Sequence, residues 1–285
     1  MKAGFNLLLW TTHVTDEHLP LLAKLKAAGY DGVEVPVFEG EVAHFRRLGQ
    51  ALRDHGLACT SVTVLPDAAH SAIHPDPNSR QGAVDHLAWT IECSQALGSD
   101  LLCGPFHQEL AVFSGEGPTP DEVAWAVDVH RQAADLAATI GLTLAIEPLN
   151  RFECYFLNTM ADAKAYAQRV DRPNFGVLYD TFHANIEEQD PVGCIYAAAD
   201  VIRHVHISEN DRGTPGKGHI DFVATARALR GIGYNGWLTI EAFGTALPAL
   251  AAATKVWRDF FPSREEVYEH GLKTMREAWA AAARA

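Results

Sequence analysis

Five times in this chain a helical pattern stops at a glycine and, within one to three residues, a β-branched or aliphatic run begins: KLKAAGYDGVEV, ALRDHGLACTSV, CSQALGSDLLC, AATIGLTLAIE and ALRGIGYNGWLTIE. The glycines, Gly29, Gly56, Gly98, Gly141 and Gly233, are expected to close their helices in the left-handed conformation, which spares the Cβ clash any other residue meets there. A chain punctuated in this way alternates helix and strand. Strands are predicted at Gly4–Leu9, Gly32–Val35, Ala58–Val64, Asp100–Cys103, Leu142–Ile146, Phe175–Tyr179, Ile202–Ile207 and Trp237–Ile240. Runs apolar on both faces suit a parallel sheet wrapped by helices, and eight of them in strict alternation predict a closed (β/α)8 TIM barrel rather than an open sheet.

A length of 285 residues, 48% of them hydrophobic and 21% charged, suits one such barrel, read here as a single domain over 1–285 without a linker. After the eighth strand the repeat calls for one helix, yet two helical patterns follow, at Leu247–Phe261 and Ser263–Ala283, so an extra C-terminal helix is expected. Their aromatics, Trp257, Phe260, Phe261 and Trp279, would cover the barrel or form a subunit contact. A formal net charge of -13 opposes nucleic acid and anionic membrane surfaces. No apolar stretch is long enough to span a bilayer, and MKAGFNLLLW lacks the parts of a signal peptide, so a soluble cytoplasmic protein is expected. The five cysteines are odd in number and scattered, with no C-x-x-C pair, which predicts reduced core residues rather than a disulfide frame or a zinc site.

Chemistry enters at the strand ends. The runs LTLAIE, FGVLYD, IRHVHI and WLTIE carry Glu147, Asp180, His206 and Glu241 at or near their C-terminal ends. In a barrel these lie on the face where such folds do their chemistry. Three carboxylates and one imidazole make an oxygen-rich, open site for a divalent cation such as Mn²⁺, Co²⁺ or Mg²⁺. Each carboxylate alone has another reading, as a cap for the next helix or the partner of an arginine. Four together favour the metal, because burying several carboxylates is costly unless a cation neutralises them.

Around these positions stand IEPLNRFECYFLNT, DTFHANIEE and HVHISENDRGTPGKGHIDF. With NRFE, DTFHANIEE and the eighth-strand Glu, the chain resembles the D-tagatose 3-epimerase family, which includes the D-psicose (allulose) and L-ribulose 3-epimerases, among the xylose-isomerase-like barrels. The resemblance runs from the first strand to the last helices. It implies Glu147, Asp180, His206 and Glu241 as ligands of one metal ion, Mn²⁺ foremost, and Glu147 and Glu241 as the acid/base pair. It further implies Glu153, His183 and Arg212 at the carbonyl end of a ketose, Phe243 lining the pocket, and a homodimer or homotetramer. Asn6 stands where the family has a first-strand Tyr, His13 and Val14 replace a common Trp, and GPFHQELAVF lacks the usual Trp, all toward the far end of the sugar.

Inverting a carbon beside a ketone needs a proton removed from one face and another delivered to the opposite face, so two acid/base groups must flank the substrate. A cation on neighbouring substrate oxygens would stabilise the enediolate between the steps. A carboxylate that also binds metal is a weakened base, which is eased if each Glu ligates through one oxygen and turns the other to the carbon. His204 is expected to be a hydrogen-bonded histidine of the barrel interior. Arg212 with Lys217, after the seventh strand, leaves a sugar-phosphate epimerase open as an alternative. An aldose-ketose or hydroxypyruvate-type isomerase shares the E-P-x-N segment at Glu147–Asn150, and Glu153 argues against it. A nuclease would want more metal-binding histidines and a basic face, and a non-catalytic sugar-binding barrel would need no paired Glu.

Overall fold

In the computed structural model, which describes residues 1–284, eight parallel strands close into a barrel in chain order. The elements are β1 (Lys2–Asn6), α1 (Leu19–Ala28), β2 (Gly32–Pro36), α2 (Val42–Asp54), β3 (Ala58–Val62), α3 (Pro77–Leu97), β4 (Leu101–Gly104) and α4 (Pro120–Ala138). They continue with β5 (Thr143–Ile146), α5 (Met160–Val170), β6 (Phe175–Asp180), α6 (Thr181–Glu187), α7 (Gly193–Ala197), β7 (Ile202–Ile207), α8 (Phe222–Gly231), β8 (Trp237–Ile240), α9 (Pro248–Ala253) and α10 (Arg264–Ala282). β8 pairs back onto β1, with Gly4 opposite Thr239, so no strand edge remains open. All five hinge glycines adopt positive φ, between 69° and 107°. α5 instead closes on Asp171 at φ 52°, an end that the glycine pattern does not mark.

The first strand stops at Asn6 rather than Leu9. There the Asn6 side chain accepts the backbone N–H of Leu8 and turns Leu7–Leu9 into a 3-10 helix. β3 ends at Val62, two residues earlier than expected. In the tail, the helix expected over Leu247–Phe261 covers only Pro248–Ala253. Lys255 takes a left-handed φ of 60° and the N–H of Val256 reaches back to the carbonyl of Ala251, a helix-terminating turn that the apolar periodicity hides. Beyond it Trp257 and Phe260 are exposed while Phe261 and Trp279 pack on the core, and α10 docks beside α8 and α1. The cysteines are all free.

The main core lies between strands and helices. The barrel interior instead holds a polar layer under the mouth at the C-terminal ends of the strands, with Asn6, Glu34, Thr60, His204 and His206 hydrogen-bonded in it. Register puts these groups level: Asn6 pairs with Glu34, Glu34 with Thr60, and Asp180 with His206. A β-bulge between Val177 and Leu178 shifts β7 against β6 just before Leu178 meets His204, and so sets His206 beside Asp180.

Under the helical layer His130 of α4 is fully buried; its Nε2 donates to the Phe106 carbonyl at 2.8 Å and its Nδ1 accepts the Tyr166 hydroxyl. Burial lowers its pKa to about 4. An imidazole of the unfolded chain titrates near 6.5. Between those values the unfolded state takes up a proton that the folded state refuses, so this contribution is full above pH 6.5 and is lost as pH falls toward 4. Urea unfolding at pH 7 and pH 5 should show a loss of about 2 kcal/mol traceable to this residue, and His130→Gln should flatten the profile by that amount. An equally steep profile in the variant would rule out His130 as the source.

Candidate active site

Four strand ends meet in one place. One ligand atom from each of Glu147, Asp180, His206 and Glu241 lies within 4.8 Å of the others, all four residues being buried. His206 Nδ1 faces Glu241 Oε1 at 3.4 Å, Asp180 Oδ2 at 3.7 Å and Glu147 Oε1 at 3.8 Å. Neither His206 Nδ1 nor Glu147 Oε1 has a hydrogen-bond partner, although both are buried. Orphaned buried acceptors are expensive, and two of them turned toward carboxylates are what a cation-binding centre presents. The donor set fits a divalent metal ion.

Asp180 serves both of the roles that sequence left open. Its Oδ1 caps α6 through the N–H of Phe182 at 2.6 Å, while Oδ2 faces the centre and lies 3.1 Å from Arg212 Nη1. Burial opposes its charge, but the Arg212 guanidinium outweighs that and holds its carboxyl well below the usual range. For Glu147 the balance is reversed: burial, and then the neighbouring Glu241 carboxylate, push its carboxyl well above the usual range. One fixed guanidinium among three buried carboxylates leaves a deficit of positive charge that a metal ion would fill.

Arg212 is held from every side. Nη1 donates to Glu241 Oε2 at 2.6 Å and to Ser208 Oγ at 3.0 Å, and the guanidinium stacks 3.9 Å from the Phe182 ring centroid and 4.8 Å from that of Phe243. Its backbone sits at φ 63°, unusual for a residue with a side chain, and is fastened by bonds from its N–H to the Glu209 carbonyl and from Phe243 N–H to its own carbonyl. His183 accepts the Asn150 N–H at Nδ1. Its Nε2 lies 2.9 Å from Arg212 Nη2, which can only donate, and 3.6 Å from Glu147 Oε1. Glu153 Oε1 accepts from the Asn150 side chain at 2.7 Å, and burial raises its pKa.

A cavity of about 210 Å³ opens over these groups. Glu147, Glu153, His183, Arg212 and Glu241 line it together with an apolar wall of Leu8, Phe38, Val62, Leu110, Phe243 and Leu250. Arg212 is the one fixed cation among the described residues lining it. Lys217 is exposed and does not line it. Asn6 is not in the wall either: its amide lies below, donating to Glu34 and Glu241 at 3.0 Å each. His13 lines a separate surface depression, its ring stacked on that of His44, and Val14 is buried. From the loop after β4, Pro105 and Leu110 reach the cavity, and buried His107 bonds the Glu147 carbonyl through Nε2 at 3.2 Å.

His204 is the interior histidine expected, with Nε2 2.7 Å from Glu34 Oε2. Glu34 itself was not singled out in the sequence, although a charge between Val33 and Val35 in an apolar run is a signal that something inside the barrel receives it. Burial opposes its charge, but His206 and His204 hold its carboxyl well below the usual range. Phe182 and Ser208, which brace Arg212, carried no comparable mark.

A family model described as the xylose isomerase-like TIM barrel matches residues 22–278. The chain is 32% identical to the ketose 3-epimerase of Arthrobacter globiformis over 280 residues, 97% of this chain and 96% of that one. Its fold superposes on the structure of an L-ribulose 3-epimerase with a TM-score of 0.93 at 30% identity, covering 99% of this chain and 96% of that one. A D-allulose 3-epimerase from Methylomonas, solved in complex with D-allulose, gives a TM-score of 0.91 at 27% identity, covering 98% and 97%. Among the described residues no helix is long and apolar enough to cross a membrane. With these likenesses and this mouth of the barrel, the chain belongs to the ketose 3-epimerase family of the xylose isomerase-like TIM barrels, and it is an enzyme of the epimerase class.

Proposed function

We propose that this enzyme inverts C3 of free ketohexoses or ketopentoses, such as D-tagatose, D-fructose/D-psicose or L-ribulose, with Glu147 and Glu241 as its acid/base pair. The observation that carries the reading is that these two carboxylates, from the ends of β5 and β8, border the same small cavity. At about 210 Å³ it falls below the usual ~300–1,000 Å³ of ligand pockets, which favours a single small sugar. The A. globiformis relative and the two structural relatives, all 3-epimerases of ketoses by name, support it.

In this reading Glu147, Asp180, His206 and Glu241 hold a divalent cation, Mn²⁺ foremost. That ion supplies Lewis-acid charge beside the substrate oxygens. One Glu takes the C3 proton and the other returns a proton to the opposite face. Arg212, His183 and Glu153 orient the carbonyl end, and Phe243 packs on the sugar while bracing Arg212. The apolar wall excludes water and gives the far end of the sugar few polar partners, which fits more than one ketose. Residues 1–285 work as one barrel domain, in a cytoplasmic homodimer or homotetramer.

Proton NMR of Mn²⁺-loaded protein incubated with separate free ketoses, ketose phosphates and hydroxypyruvate tests the assignment. Free ketoses are expected to give their C3 epimers, with phosphorylated sugars at least about tenfold slower for want of a second cation, a loss of roughly 1.4 kcal/mol in transition-state binding. Aldose formation or hydroxypyruvate turnover in place of C3 epimers would defeat it.

A further inference from the structure

Below the four candidate ligands, Glu34 rises from the middle of β2 with no exposed surface. It accepts five hydrogen bonds. Oε1 receives Asn6 Nδ2 at 3.0 Å and His206 Nε2 at 2.7 Å; Oε2 receives Thr60 Oγ1 at 2.8 Å, His204 Nε2 at 2.7 Å and Cys103 Sγ at 3.1 Å. Glu34, Cys103, His204 and His206 also come within 4.8 Å of one another, which makes them a second group of metal-ligating types. Here, though, the atoms are spent on one another: both Glu34 oxygens are filled by donors, and neither carboxylate oxygen is orphaned as Glu147 Oε1 is. The lower group is therefore a hydrogen-bond network.

Its connections lead upward. A carboxylate only accepts, so the Nε2 bonded to it carries the imidazole proton and Nδ1 of His206 is left bare. That bare nitrogen is the one aimed at Glu147, Asp180 and Glu241. A second connection runs through Asn6, whose amide nitrogen bonds both Glu34 Oε1 and Glu241 Oε1. One buried carboxylate thus braces two of the four ligands, His206 directly and Glu241 through a single amide.

We propose that Glu34 is a positioning residue for the metal centre: it locks His206 in the tautomer that presents Nδ1 and, through Asn6, fixes the Glu241 carboxylate, and thereby raises the affinity for a divalent cation. This rests on the reading of Glu147, Asp180, His206 and Glu241 as the metal-holding set. Removing a group that orients a metal-binding histidine typically weakens metal affinity by about 10–100-fold.

The test is Mn²⁺ binding to the full chain, followed by the electron paramagnetic resonance signal of free Mn²⁺, beside thermal unfolding. Glu34→Gln is expected to raise the Mn²⁺ Kd by about 10–100-fold. Thr60→Val, which strips a donor from the far oxygen of the same carboxylate, and Glu153→Gln, at the substrate end, should each stay within about twofold of wild type. A folded Glu34→Gln protein with unchanged Kd, or an equal loss in Thr60→Val, overturns the proposal while leaving the metal site itself standing. Wild-type protein that binds no Mn²⁺, with Asp180→Asn no different, removes the metal site and this inference with it. Should Glu34→Gln not fold, long-range ¹H–¹⁵N spectra of the Zn²⁺-loaded wild type decide: a proton on His206 Nε2 supports the proposal, and one on Nδ1 overturns it.

Discussion

Glu241→Gln and Glu147→Gln are each expected to lower kcat for net epimerisation by about 10²–10⁴-fold, the usual contribution of a positioned acid or base. The geometry explains why neither should substitute for the other. Glu241 is tied at both oxygens, Oε1 to Asn6 and Oε2 to Arg212, whereas Glu147 Oε1 is unpartnered and stands near His183. Two carboxylates in such different surroundings are expected to address the sugar from different directions. In D₂O the product should carry deuterium at C3 and none at C1, because the proton delivered comes from a carboxylate that exchanges with solvent between turnovers. Either single variant should still exchange the C3 hydrogen of the isomer facing its intact carboxylate, provided Mn²⁺ content is unchanged. Deuterium confined to C1 would identify a one-base isomerase, and epimerisation without label at C3 would end the two-base reading.

Exhaustive chelation should abolish turnover, and added Mn²⁺ or Co²⁺ should restore it. The same treatment should move the unfolding temperature, because an ion bound only by the folded state at a hundred times its Kd stabilises by about 2.7 kcal/mol. For a chain of this size that corresponds to a rise in Tm of roughly 4–5 °C. Asp180→Asn should lose both responses, since it removes the ligand oxygen facing His206 Nδ1. The physical cause is the charge deficit at the barrel mouth, where Arg212 is the single guanidinium between Asp180 and Glu241 and Glu147 has no cation of its own. Full turnover and an unchanged Tm in metal-free protein would show that the cluster works without an ion.

Much of this was legible along the chain. The glycine hinges and apolar runs encode an eightfold alternation through contacts between residues close in sequence, and the hinge glycines do take left-handed φ. Glu147, Asp180, His206 and Glu241 could be picked out because each stands where an apolar run gives way to a loop, and the closed barrel brings those ends together. What the pattern could not reveal depends on partners far away in the chain. Glu34 looks like one charge in a short strand until barrel closure sets it 2.7 Å from a histidine 172 residues later. Asn6 stands where the family resemblance aims at the sugar, yet its amide bridges Glu34 and Glu241 beneath the cavity, 28 and 235 residues along the chain. The shortness of α9 follows from a left-handed Lys255, and apolar periodicity carries no sign of it. Local periodicity specifies elements because helix and strand geometry repeats over a few residues; hydrogen-bond partners inside a barrel are chosen by register between strands, which only closure of the sheet determines.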